Sequence, residues 1–178
     1  LSDPRYRRLK LIFDKVHRYT HLKDRDIEVV LIEMPIFQAY TFGGGAVVFY
    51  TGLTDILNDD QLAGVIGHEI AHIAAGHIAE ETSRSLVNTD TGTMTTLTGF
   101  YSLTAEKEAD QIGLVYTALA GYAPQEMSTF WQGQAAQQGK NILNPFADSH
   151  PTYKDRAFYL KQDAEKLNGL GSDLDENQ

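Results

Sequence analysis

A chain of 178 residues carries 15 Lys and Arg against 24 Asp and Glu, a formal net charge of -9, with six His and no Cys. That length buries one sizeable core and falls short of two ordinary domains, and the 42% hydrophobic, 22% charged composition is that of a globular protein. The missing Cys excludes disulfide frameworks, thiol nucleophiles and Cys-ligated zinc, so any metal must rest on His and carboxylates; the acidic balance argues against a nucleic-acid partner.

The chain opens as a helix. Ser2-Asp3-Pro4 supplies a capping side chain and a first-turn Pro, and Tyr6, Leu9, Phe13, Val16 and Tyr19 recur at spacings of three and four. Residues 27–33 (IEVVLIE), 37–42 and 46–50 read as three short strands, with Gly43-Gly44-Gly45 as a turn, giving a small antiparallel or mixed sheet. A helical turn is expected over 54–57, and Asn58-Asp59-Asp60 caps a helix with Leu62, Val65, Ile66, Ile70 and Ile73 facing the core. Residues 82–104, rich in Ser, Thr and Gly, read as a loop. Helices are expected over 105–119, from Pro124 to Gln138 and over 152–167, the last two separated by a loop holding Asn144-Pro145 and His150-Pro151. These elements make one domain, 1–167, followed by a mobile acidic tail, 168–178.

No apolar run approaches the roughly 20 residues needed to cross a bilayer. The most apolar long stretch, 62–79, is interrupted by His68, Glu69, His72 and His77. With no initiating Met and no signal-peptide pattern at Leu1, any targeting segment is expected to lie outside the given sequence.

His68-Glu69-Ile70-Ala71-His72 carries the chemistry. Two His four apart on a helix lie about 40° apart and roughly 6 Å along its axis, so both imidazoles reach one ion. Zinc suits neutral imidazole, and Glu69, one residue past the first His, reaches a water at its open position as general base. On a straight helix His77 points away from His68 and fails as a ligand, which leaves it a hydrogen-bonding role. Glu106 and Asp110, four apart on the next helix, share a face: one can bind the metal while the other orients a ligand, and Asp110 is the natural acceptor for a His N–H. Glu108 points elsewhere and is expected in solvent.

These residues, with a His-Pro near the C-terminus, resemble the HtpX-like zinc metalloproteases, a family that includes the CaaX prenyl proteases and bacterial periplasmic quality-control proteases. The resemblance runs from about Gln38 to Leu160. Gln38-Ala39-Tyr40-Thr41-Phe42-Gly43-Gly44-Gly45 is similar to its N-A-F-x-x-P-G-G strand and turn, with Gln for Asn and Gly for Pro, and Thr51-Gly52-Leu53 to the T-x-G-L that follows. His68 to His77 is similar to its HExxHxxxxH, Glu106 to Asp110 to its ExxAD, and His150-Pro151 with Arg156 to its HP…R. The gap from His72 to Glu106 is short for the family.

The resemblance implies an α+β, zincin-like, mainly helical domain and a gluzincin-type endopeptidase, with one zinc ion per chain held by His68, His72 and Glu106. It implies that His150 either stabilises the oxyanion or occupies the open zinc position at rest, and that Arg156 anchors its loop or binds a nearby Glu or Asp. It further implies a polypeptide substrate added as a strand along Gly44, Gly45, Ala46, Val47 and Val48, unfolded or misassembled proteins as targets, and a periplasmic or envelope location. The rival expectation is a zinc-binding chaperone or assembly factor on the same scaffold.

Overall fold

Helix α1 (Pro4–His17) begins where the Asp3 carboxylate accepts a hydrogen bond from the Arg5 N–H at 2.8 Å and Pro4 takes a position whose N–H would have no helical partner. The computed structural model describes residues 3–42, 45–79, 101–137 and 152–175. Leu9, Ile12, Phe13 and Val16 bury one stripe of α1. Tyr19 lies past the helix end and is exposed, so the expected apolar stripe stops at Val16.

Three strands follow, β1 (Glu28–Ile32), β2 (Ala39–Phe42) and β3 (Ala46–Tyr50), in the sheet order β1-β3-β2. β1 runs parallel to β3 and β2 antiparallel to it, so the sheet is mixed. This order corrects one expectation. β3 is the central strand, with Val47 bonded between Val29 and Thr41 neighbours, and its main chain has no open side for a peptide. Ala46, Val47 and Val48 therefore cannot form a substrate edge; Gly45 lies in the turn before them, and Gly44 is outside the described residues.

The edges are β1 and β2. The Gln38 carbonyl accepts from the Tyr50 N–H at 3.2 Å, and the Phe42 carbonyl from the Gly45 N–H at 3.4 Å. Alternation along an antiparallel strand then turns the main-chain groups of Ala39 and Thr41 away from β3, to the side of β2 where no strand pairs among the described residues.

Helix α2 (Thr51–Thr54) starts directly after β3, three residues earlier than the expected turn. The Met34 carbonyl explains the shift. It accepts from both the Gly52 N–H and the Thr51 hydroxyl at 3.0 Å, which bends the chain as soon as the strand ends.

Helix α3 (Asp59–Ala74) opens on a capping box. The Asn58 side chain accepts from the Gln61 N–H at 2.8 Å, and the Gln61 side chain accepts from the Asn58 N–H at 3.3 Å, an arrangement worth about 1 kcal/mol. Every residue from Leu62 to Ile73 is buried. A helix apolar nearly all round needs neighbours on every side. α1, β2, α4 (Leu103–Leu119) and α5 (Gln125–Gln137) supply them.

Helix α6 (Tyr153–Asp175) packs on α4 and α5. It continues eight residues beyond Leu167, through part of the stretch expected as a mobile tail; no Pro interrupts that stretch. The expected loops over 82–104 and 144–151 fall almost wholly outside the described residues, and Leu103 already belongs to α4. Among the described residues no helix is long and apolar enough to cross a membrane.

Candidate metal centre

α3 and α4 cross at Gly67 and Gly113, and this crossing brings residues 38 positions apart to one point. Glu106, in the first turn of α4, is fully buried against the middle of α3. Its Oε2 lies 3.5 Å from His68 Nε2 and its Oε1 3.5 Å from His72 Nε2. The two Nε2 atoms are 3.1 Å apart. Ligand atoms of His68, His72 and Glu106 thus form a buried group able to hold a metal ion.

The far nitrogens decide the tautomers. His68 Nδ1 lies 2.8 Å from Asp110 Oδ1, so it carries the proton and donates it. His72 Nδ1 lies 3.0 Å from His77 Nδ1, while His77 Nε2 faces Glu108 Oε2 at 3.5 Å. A proton on His77 Nε2 leaves its Nδ1 as acceptor, and His72 Nδ1–H donates to it. Both ligand imidazoles therefore present bare Nε2 lone pairs to the same space as a carboxylate.

Three converging acceptors repel one another without a cation among them. One ligand atom from each of the three lies within 4.8 Å of the others, close enough for all to reach one ion at about 2.0–2.1 Å. The donor set fits zinc of the open, catalytic kind, with two imidazoles and one carboxylate.

Electrostatics agree with these assignments for His72 and Asp110. Burial, reinforced by His68 and His77, holds His72 far below the usual histidine range, so it is neutral. Burial also disfavours a charge on Asp110, yet Arg156 and His68 outweigh it and keep the carboxyl well below the usual carboxylate range. Burial lowers His68, but the Asp110 carboxylate outweighs it and the net shift is upward. Arg156 grips Asp110 with two bonds, Nε to Oδ2 at 2.9 Å and Nη2 to Oδ1 at 2.5 Å, and its guanidinium lies 3.9 Å over the Trp131 ring.

Glu69, next to His68 on α3, is buried beside the edge strand. The Thr41 hydroxyl on β2 lies 2.8 Å from Glu69 Oε2 and 2.9 Å from the Glu69 carbonyl.

The structure thus brings His68, His72, His77, Glu106, Asp110 and Arg156 together, with Glu69 beside His68 on the same helix. His77 arrives by a route the straight-helix argument did not contain. α3 ends at Ala74, Gly76 adopts a φ of 73°, and the chain turns back so that His77 faces His72. Glu108, expected in solvent, is half exposed but reaches His77. His150 lies outside the described residues.

Three contributors had gone unassigned. Tyr159 donates to Asp110 Oδ2 from one turn beyond Arg156, and that spacing of three was a usable signal. Tyr101 stacks on the His72 ring with centroids 3.8 Å apart, and Thr41 meets Glu69 across the sheet; neither contact has a sequence signature.

A small mixed sheet over a buried helix bearing two His and a Glu, with a carboxylate from the next helix as third ligand candidate, is the arrangement of a zincin-type metallopeptidase domain. The chain belongs to peptidase family M48, whose profile matches residues 4–97 and 87–164. It is 32% identical over 167 residues to the mitochondrial metalloendopeptidase OMA1 of Arabidopsis thaliana, covering 83% of this chain and 34% of that protein. It is 27% identical over 144 residues to metalloprotease YcaL of Escherichia coli (69% of this chain, 56% of that protein). With the β-barrel assembly-enhancing protease of Escherichia coli it shares 33% over 128 residues, 56% of this chain and 26% of that protein. The chain therefore spans only a part of each of these relatives.

Proposed function

We propose that this domain is a zinc-dependent endopeptidase acting on unfolded or misassembled polypeptides, with Glu69 as its general base. The observation that carries the reading is the convergence of three buried acceptor atoms from His68, His72 and Glu106, with the Glu69 carboxylate on the same helix. His68, His72 and Glu106 would hold one zinc ion per chain, which would supply Lewis-acid polarisation of the scissile carbonyl and a more acidic water.

Glu69 takes the proton from that water and returns it to the leaving nitrogen, base in one step and acid in the next. Asp110 and His77 hold the two ligand imidazoles in the tautomer that leaves Nε2 bare. Arg156 and Tyr159 hold Asp110 in turn. His150 is assigned to the oxyanion or to the open metal position. The peptide adds as a strand to the outward main-chain groups of Ala39 and Thr41 on β2.

A relative named for β-barrel assembly supports a bacterial envelope setting for this chain; cell fractionation tests it against the mitochondrial names of others. For the activity itself, the probe is fluorescein-labelled casein. Cleavage by the purified, zinc-loaded chain should stop on chelation and return with added zinc. Cleavage that persists without metal, or a loaded chain that leaves casein intact, overturns the proposal.

A further inference from the structure

We propose that Thr41 is a positioning residue for Glu69, and that it ties the docking edge of the sheet to the base. The inference rests on the peptidase reading above. Thr41 is buried, and its single hydroxyl proton is shared between Glu69 Oε2 at 2.8 Å and the Glu69 carbonyl at 2.9 Å. A hydroxyl donating to one carboxylate oxygen fixes the rotation of the carboxyl group.

The same residue lies on the edge strand with its main-chain N–H and C=O turned to the open side. A peptide pairing there bonds the backbone of the residue whose side chain holds the base. Small displacements of β2 thus pass to Glu69 through one hydrogen bond, and misplacements of the reacting groups by about 1 Å are costly. Its neighbours have other duties: Tyr40 meets the Tyr50 ring, and Phe42 is exposed.

A purely structural alternative has Thr41 anchoring β2 to the Glu69 carbonyl alone. Two measurements separate the readings. In the first, urea unfolding of the metal-free chain follows a double-mutant cycle of Thr41→Val and Glu69→Ala. The proposal predicts that Thr41→Val lowers the folding equilibrium constant by roughly tenfold more when Glu69 is present than when it is Ala, the worth of a hydrogen bond to a charged group. An equal loss in both backgrounds overturns it.

In the second, the zinc-loaded chain cleaves fluorescein-labelled casein. Thr41→Val should lower kcat by roughly 10- to 100-fold with KM within about twofold and zinc content unchanged, and Thr41→Ser should restore kcat to within about threefold. Wild-type kcat in Thr41→Val, a loss confined to KM, or no rescue by Ser overturns the proposal. A wild-type chain that leaves casein intact instead defeats the peptidase reading, and this proposal with it.

Discussion

Gly67 and Gly113 face each other where α3 crosses α4, and neither position has room for a single added carbon. A Cβ on Gly113 would stand 2.6 Å from the His68 nitrogen and 2.8 Å from the Gly67 carbonyl carbon; one on Gly67 would stand 2.6 Å from the Gly113 carbonyl oxygen. The obstacles are helix backbone, which cannot step aside. Contact of the two backbones is what lets Glu106 reach both His68 and His72.

Gly113→Ala should therefore force the helices apart. We expect a loss of about 1–3 kcal/mol in urea unfolding, together with weaker zinc retention in competition with a chromophoric chelator. Gly133→Ala is the control. Among the described residues nothing lies within 4 Å of its added carbon, so that substitution should raise stability by about 0.5–1 kcal/mol and leave zinc binding unchanged.

His77 donates nothing to the metal itself, yet its Nδ1 fixes the tautomer of His72. Replacing it by Phe keeps a ring of similar size and removes the acceptor. Zinc affinity should fall roughly 10- to 100-fold, measured by the same competition. An affinity equal to wild type would show that His72 keeps its tautomer without His77.

Much of this arrangement was legible in the sequence, and the reasons differ by element. The spacing of His68 and His72 fixes their common face whatever surrounds the helix, and Asn58 to Gln61 marks where that helix begins. Strand β3 was read with its observed ends, because a run such as 46–50 bounded by Gly is a local signal. Its place in the middle of the sheet was not, since strand order depends on the crossover from β1 and leaves no local trace. The hydrogen-bonding role expected of His77 is the one seen; its partner, His72, was not legible, because a straight helix was assumed through residue 77 whereas α3 ends at Ala74 and Gly76 takes a φ of 73°.

Arg156 and Asp110 form a buried ion pair with side-chain exposures of 5% and 0%. Removing the cation with Arg156→Leu strands a carboxylate in the interior and should cost about 3–5 kcal/mol, read as a lower urea midpoint for the metal-free chain. The pH dependence has a defined sign. The Asp110 carboxyl is depressed below its unfolded value, which is about 3.9. Its contribution is therefore fully present above roughly pH 4 and lost as pH falls toward the depressed folded value. His68, raised by Asp110, makes the stability deficit of Asp110→Asn larger at about pH 5 than at about pH 8, and protonation of Asp110 itself shrinks the deficit again below roughly pH 4. A deficit that keeps growing below about pH 4 would contradict the assignment.

The most direct test of the central claim pairs metal content with turnover in one variant. Glu69→Gln keeps the shape of the side chain and removes the base while leaving His68, His72 and Glu106 untouched. The purified variant should carry about one zinc per chain, as wild type does, and cleave labelled casein at less than about a hundredth of the wild-type rate. A zinc-replete Glu69→Gln that cleaves at the wild-type rate, or a wild-type chain that binds no zinc, would contradict it.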